Sequence, residues 1–210
     1  MTKPPPTQRP YRGVKRDERR ERRRLDLIAA AIAVYGKRGY RHSTVKAVCD
    51  RAGLTERYFY ESFENSEALL AACYAAVALA VLAELLEAGA GAKVTGVGDA
   101  ARTERMRTML RAYFRRLKRD PRTAKLFLME IRGVGPVVEA SFENSLREFG
   151  RAISATLAPR GARRDPMLEA GAVGGIMHIA LHWIGDGYRP SVNRVADTAL
   201  RICGAIRDHR

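Results

Sequence analysis

The stretch that decides the fold is STVKAVCDRAGLTERYFYESF, residues 43–63. Val45, Val48 and Ala52 recur at helical spacing, which predicts a first short helix that ends at Ala52. Gly53 follows directly, and glycine can adopt the left-handed conformation that terminates a helix. The first half of the stretch is therefore a helix that stops in a tight turn.

The second half of the stretch predicts another short helix. Thr55 stands at its start, where a threonine hydroxyl can accept hydrogen bonds from free backbone N–H groups. Phe59 and Phe63, four residues apart, mark its buried face, and its outward face carries Glu56, Arg57, Tyr58 and Tyr60. A helix of about two turns gains its order from packing, as the recognition helix of a helix-turn-helix unit does. We therefore predict a helix-turn-helix unit.

This pattern resembles the N-terminal DNA-binding domain of TetR/AcrR-type transcriptional repressors. The residues at the family's spacing are Thr44-Val45, Ala52-Gly53-Leu54-Thr55, Phe59-Tyr60, Phe63, Glu67 and Leu69-Leu70. The sequence departs from the family at Glu56, Ser62 and Ser66, where a basic residue, a histidine and a lysine are common. The resemblance implies an all-α fold of about nine helices, with a three-helix DNA-binding domain before a helical effector-binding and dimerisation bundle.

The resemblance also assigns DNA contacts, to Thr44, Lys46, Thr55, Arg57, Tyr58 and Tyr60. Arg57 can hydrogen-bond guanine O6 and N7 in a bidentate way, whereas ammonium and hydroxyl groups suit phosphate oxygens. The alternative for Tyr58 and Tyr60 is that they pack beneath the recognition helix.

Positive charge is concentrated at the N-terminus. The chain has 210 residues and a net charge of +15, and residues 1–24 hold ten Lys or Arg against three Asp or Glu. We expect residues 1–20 to be a basic, disordered arm, which together with Arg23 and Arg24 tracks phosphates or enters a minor groove. The alternative is a solvated, solubilising tail.

The expected domains are the arm, a DNA-binding domain over residues 21–65, and the bundle over residues 66–210. A first helix from about Arg19 to Tyr35 should bury one stripe, consisting of Leu25, Ile28, Ala29, Ile32 and Ala33. The apolar run over residues 68–83 is shorter than the roughly 20 residues of a membrane helix, so we expect it inside the bundle and expect no membrane partner. After a glycine-rich linker at residues 88–98, helices are predicted over 99–119, 123–131, 137–157, 167–184 and 191–206.

Two functional surfaces are expected in the bundle. By resemblance, the last two helices form a homodimer interface, with Gly171, Gly175, Ile179, Trp183, Val195, Ala199 and Ile202 as its candidates, although ordinary packing within the chain is the alternative. By the same resemblance the bundle encloses an effector pocket, whose candidates are Met106, Met109, Tyr113, Phe127, Glu130, Phe142, Met177 and His178. Methionine and aromatic side chains adapt to apolar ligands, and the alternative is that these residues are ordinary core.

Other kinds of site find little support in the sequence. His178 and His182 have a spacing that can hold a metal, yet no third ligand is evident, so we expect no metal or cofactor. No motif of a hydrolase, P-loop protein or zinc protease is present, so we expect no enzyme. Cys49, Cys73 and Cys203 lie far apart and the N-terminus has no apolar segment, which favours a reducing cytoplasm and no secretion signal.

The function predicted from the sequence is that of a homodimeric transcriptional repressor. It would bind a palindromic, double-stranded DNA operator and leave it when a small apolar or amphipathic effector binds. The alternative is a sequence-tolerant DNA-coating protein whose affinity is dominated by the basic arm.

Overall fold

The structure is a computed structural model that describes residues 11–94, 96–131, 133–159 and 161–208. Within these ranges all regular structure is helical, which confirms the all-α prediction. The α-helices are α1 (Tyr11–Arg38), α2 (Val45–Ala52), α3 (Glu56–Ser62), α4 (Ser66–Ala90), α5 (Asp99–Arg119), α6 (Pro121–Lys125), α7 (Pro136–Leu157), α8 (Pro166–Gly185) and α9 (Val192–Asp208).

The helix-turn-helix unit is formed by α2 and α3. The Thr44 hydroxyl oxygen accepts a hydrogen bond from the Ala47 N–H at 3.1 Å, and Gly53 ends α2 with φ of 67°. The predicted hydroxyl cap of α3 is wrong, because the Thr55 side chain makes no capping hydrogen bond. The backbone carbonyl of Thr55 instead accepts the Tyr58 N–H at 3.0 Å.

α1 is longer than the sequence predicts. It begins at Tyr11, so residues 11–20 are helical where we expected a disordered arm; residues 1–10 lie outside the described part. Arginine and glutamate are strong helix formers, and opposite charges three or four residues apart stabilise a helix. The run of arginines interspersed with Asp17, Glu18 and Glu21 therefore favours a helix over a disordered arm.

The buried face of α1 is turned relative to the predicted stripe. Leu25, Ala29 and Ala33 are exposed, whereas the buried residues are Leu27, Ile28, Ala30, Ala31 and Tyr35. The reason is that α1 packs against α2 and α3 on one side and against α4 and α6 on another. Its buried sector therefore serves both the helix-turn-helix unit and the bundle.

α4 is the central helix of the bundle. The Asn65 side chain caps it by accepting the Ala68 N–H at 2.9 Å, and the helix packs against α1, α5 and α7. α4 and α8 are long and apolar enough to cross a membrane by length and composition. In this fold α4 supplies ten buried residues to the core, and α8 packs between α7 and α9.

The middle of the bundle differs from the prediction at two places. α4 continues to Ala90, past the expected start of the linker at residue 88. The short helix expected over 123–131 instead begins at Pro121 and passes into a π-helical segment, Leu126–Glu130. Such π-helical turns are frequent at functional sites, and this one lies against α4.

Candidate DNA-binding surface and effector cavity

The recognition helix α3 is held by two phenylalanines. Phe59 is fully buried and Phe63 is 4% exposed, and their ring centroids are 5.9 Å apart. On the opposite face Tyr60 is 61% exposed, with its ring edge-to-face against Phe59 at 5.1 Å. Burial of one face therefore fixes which side chains α3 presents to solvent.

Glu61 neutralises much of the charge on this surface. Its carboxylate accepts a hydrogen bond from Arg57 at 3.1 Å and lies 3.8 Å from the Arg23 guanidinium. Its backbone carbonyl accepts a hydrogen bond from Arg20 at 2.8 Å. The sequence interpretation missed this role, although a Glu four residues after Arg57 on a helix is a recognised pairing.

Arg23 and Arg24 fasten α1 to α3. The Arg23 guanidinium lies over the Tyr58 ring at 4.4 Å, and that of Arg24 over the Phe63 ring at 5.0 Å. Both side chains are half-buried, so they are less accessible to DNA than predicted, and Tyr58 is partly covered. The exposed arginines of α1 lie further toward its N-terminus, at Arg16, Arg19, Arg20 and Arg22.

The predicted phosphate-binding residues are exposed on or beside α2. The Lys46 ammonium donates to the Asp50 carboxylate at 2.8 Å, and this hydrogen bond raises the pKa of Lys46. The Thr44 oxygen accepts the Ala47 N–H, which leaves its hydroxyl proton to donate. Thr55 is exposed. The structure thus brings the predicted DNA-contacting residues to one end of the molecule, and their contact with DNA stays a prediction.

An apolar cavity of about 50 Å³ lies in the bundle. Its walls come from α4, α5, α7, α8 and the π-helical segment; the lining residues are Tyr74, Leu82, Leu85, Met106, Met109, Leu110, Tyr113, Leu128, Leu146, Phe149, Ala152, Ile153, Val173, Ile176 and Met177. Burial raises the pKa of the Tyr74 and Tyr113 hydroxyls, so both are neutral hydrogen-bonding groups. Among the described lining residues none is charged.

The predicted pocket residues divide into three groups. Met106, Met109, Tyr113 and Met177 line the cavity. Phe142 is buried beside it against the Tyr74 ring at 5.8 Å, whereas His178 is exposed on α8, so its assignment to the pocket is wrong. The side chains of Phe127 and Glu130 lie outside the described part. Most of the remaining lining was missed because apolar core and apolar pocket have the same sequence pattern.

The helix-turn-helix unit and the region of the cavity are connected at the start of α4. Glu67 Oε1 accepts the Val137 N–H at 3.0 Å, so the first turn of α4 is tied to the first turn of α7. A Cβ atom at Gly135 would overlap the Glu67 carboxylate, which is why this close approach needs glycine. α4 and α7 both line the cavity further along.

Comparisons with known proteins agree with this geometry. Residues 27–73 match the family model for bacterial regulatory proteins of the tetR family. The match shows that this part of the chain, which includes α2 and α3, is similar to the tetR-family model. None of the curated protein sequences compared with the chain matches it.

Solved structures show that the chain, over 85 to 90% of its length, has the fold of TetR-family transcriptional regulators. FadR from Bacillus subtilis in complex with stearoyl-CoA is 18% identical, with a TM-score of 0.67 over 85% of this chain and 96% of that chain. A transcriptional regulator from Pseudomonas aeruginosa is 19% identical, with a TM-score of 0.69 over 90% and 95%. A TetR-family regulator from Rhodococcus is 16% identical, with a TM-score of 0.67 over 90% and 100%.

Fewer of the predicted dimer-interface residues reach the surface of the subunit than expected. Trp183, Val195 and Ala199 are buried inside the chain, and the Trp183 indole donates to the Pro190 carbonyl at 2.8 Å. These three belong to the core of the subunit, which corrects their assignment to an interface. The candidates that reach the surface are Gly171, Gly175, Ile179 and Ile202.

The described residues contain no group of three His, Cys, Asp or Glu placed to hold a metal. Cys49, Cys73 and Cys203 are unpaired and buried, and burial raises the pKa of Cys73 and Cys203 to about 12. Their thiols are therefore protonated at neutral pH and poor nucleophiles.

Proposed function

We propose that this chain is a cytoplasmic, homodimeric transcriptional repressor that leaves its operator when a small effector enters the bundle. The observation that carries the proposal is the path of α4. This helix begins directly after the recognition helix and continues into the wall of the apolar cavity. A change of cavity volume therefore acts on the element that positions α3.

Dimerisation would set the geometry of the operator. In a two-fold dimer the two copies of α3 meet half-sites about 34 to 36 Å apart, which corresponds to a palindromic operator. Gly171 has no atom within 4 Å of a Cβ built on it, so Gly171→Gln fits the subunit and blocks only the close approach of a second one. Sedimentation velocity should show a dimer for the parent chain and a monomer for this variant. A dimer that survives Gly171→Gln would refute the assignment of the dimer interface to this face of α8.

Release requires an effector that prefers the conformation unable to bind DNA, with a coupling of typically about 1 to 3 kcal/mol. The tie between Glu67 and the start of α7 is the route we propose, because it joins two walls of the cavity next to α3. The solved complex of Bacillus subtilis FadR with stearoyl-CoA supports an apolar or amphipathic effector for this fold.

Binding to DNA flanking the protein's own gene tests the proposal, with scrambled DNA of equal length as competitor and two salt concentrations. Arg57→Ala should lower the affinity for specific DNA by about 5- to 150-fold and leave scrambled DNA little affected, because a bidentate base contact is worth about 1 to 3 kcal/mol. Arg115→Ala, an exposed arginine of α5, is the matched control. Equal binding of both DNAs that collapses with salt would instead establish the DNA-coating function.

A further inference from the structure

A cleft of about 620 Å³ lies beside the apolar cavity, between the end of α4, the start of α5 and the end of α7. Its walls include Gly89, Arg102, Arg105 and Thr156. Met109 is the residue that lines both the cleft and the cavity. Met109 therefore forms part of the wall of both the solvent-accessible cleft and the cavity inside the bundle.

Met109 is buried and closely packed at this boundary, with 3% of its surface exposed. A Cβ atom on Gly89 would lie 2.9 Å from Met109 Cγ and Sδ, and the Thr156 hydroxyl, which donates its proton to the Ala152 carbonyl at 2.8 Å, lies 3.5 Å from Sδ. A methionine is unbranched and has three rotatable side-chain bonds, so it adapts readily to a new neighbour. A passage from cleft to cavity past Met109 therefore requires this side chain to move aside, which its rotatable bonds allow.

The cleft and the cavity differ in charge. The cavity lining is apolar apart from two tyrosine hydroxyls, whereas the cleft contains two arginines. The Arg102 side chain is engaged, since it donates to the Leu157 carbonyl at 3.1 Å and pairs with Asp99. Arg105 is exposed and forms no ion pair or hydrogen bond with any described residue. Its guanidinium is therefore available to an anion at the mouth of the passage.

We propose that the effector of this regulator is an amphipathic anion that enters through the cleft. Its apolar tail passes Met109 into the cavity, and its carboxylate or phosphate stays in the cleft at Arg105. This assignment rests on the proposed function, because it specifies the ligand of the same bundle.

The size of the cavity explains how such a ligand would act. About 50 Å³ is far below the roughly 300 to 1,000 Å³ of a typical ligand pocket, so a tail must displace side chains. Met106, Met109 and Met177 are the adaptable ones, and Tyr74, Leu82 and Leu85 transmit the expansion to α4. Tail insertion therefore moves the helix that follows the recognition helix.

Isothermal titration of the full chain without DNA tests the ligand chemistry, with decanoate, decanol and hexanoate as probes below their micelle concentrations. Decanoate should bind about two- to fivefold tighter than decanol, because an ion pair with an exposed guanidinium is favourable but weak. Hexanoate should bind more weakly by about fourfold for each CH₂ removed. Arg105→Gln should lower decanoate affinity about two- to fivefold and leave decanol unchanged, whereas Arg115→Gln should change neither.

Equal affinity for decanoate and decanol, decanoate binding that Arg105→Gln leaves intact, or no decanoate binding would each overturn the proposal. Thermal melting of Arg105→Gln checks that the exposed substitution leaves the fold unchanged. A separate measurement adds decanoate to the protein on its DNA. If decanoate binds through Arg105 yet does not release DNA, the ligand chemistry stands and effector-controlled release fails.

Discussion

Phe59→Ala and Tyr60→Ala should separate the stability of the recognition helix from its function. The two residues are neighbours on α3, but Phe59 is fully buried and Tyr60 is 61% exposed. Truncating a buried phenylalanine typically costs about 3 to 5 kcal/mol. The lost ring contacts with Phe63 and Tyr60, each typically worth about 0.5 to 1.5 kcal/mol beyond burial, place Phe59→Ala at the upper end of that range.

This loss should fall on α3 itself. The helix has seven residues, whereas isolated helices shorter than about 12 to 15 residues are marginal in water. A loss of about 5 kcal/mol is a large part of the roughly 5 to 15 kcal/mol that stabilises a domain. We therefore expect α3 to unfold locally in Phe59→Ala, with DNA binding abolished and the bundle intact.

Tyr60→Ala should behave differently. It loses one edge-to-face contact and little burial, so its cost should be about 1 kcal/mol, which corresponds to roughly 2 to 4 °C in melting temperature for a chain of this size. DNA affinity should still fall because a phosphate-binding hydroxyl is lost. Hydrogen exchange of α3 and α4 peptides measures local unfolding. Thermal melting measures the stability, and fluorescence anisotropy with DNA measures the affinity.

The result that would refute this reasoning is protected α3 amides and retained DNA binding in Phe59→Ala. An equal loss of stability in both variants would also refute it, because the argument depends on the difference in burial between two adjacent rings.

Glu67→Ala removes the acceptor of the Val137 N–H, so the ratio of DNA affinities without and with effector should fall by about 2- to 10-fold, while Glu64→Ala, exposed just before α4, should leave it unchanged. Arg164 hydrogen-bonds Glu169 and holds the pKa of that carboxyl below its usual value. A lowered carboxyl pKa contributes stability above the unfolded-state pKa that is lost as pH falls through the folded-state pKa. Glu169→Gln should therefore melt earlier than the parent at pH 7, and the difference should shrink below the ordinary Glu pKa of about 4.3 and vanish only below the lowered folded-state pKa. Iodoacetamide at pH 8 should label Cys73 and Cys203 only after denaturation, since both are buried with pKa values near 12; rapid labelling of the native chain would contradict this. Gly53→Ala should destabilise by about 1 to 2 kcal/mol in thermal melts, because φ is 67° and the space around the residue is open, so that backbone strain alone acts.

The helix-turn-helix unit was predictable because its signals are local. Helical spacing, a glycine that ends α2 and the Phe59 and Phe63 pair each act within a few residues. The extension of α1 to Tyr11 was missed because a segment with many charged residues is usually interpreted as solvated, disordered chain. Its positive and negative side chains, interspersed along the segment, also favour a helix. Trp183 was misplaced for another reason: an apolar stripe shows that a helix is covered but not whether the same chain or a partner covers it.

On the proposed DNA-binding surface, the charges expected to attract DNA and the residues expected to read its sequence lie on different helices. Arg57 and Lys46 are each paired with a carboxylate four residues away, and exposed pairs of this kind are weak, typically about 0.3 to 0.5 kcal/mol. Arg57 and Lys46 can therefore leave these carboxylates for a base or a phosphate at a small cost in free energy. Without DNA, the two ion-paired side chains add little net charge to the surface. In the proposed function, the exposed arginines of α1 would supply the long-range attraction to DNA. Salt should consequently weaken the binding of specific and scrambled DNA in parallel, while the ratio between them depends on α3.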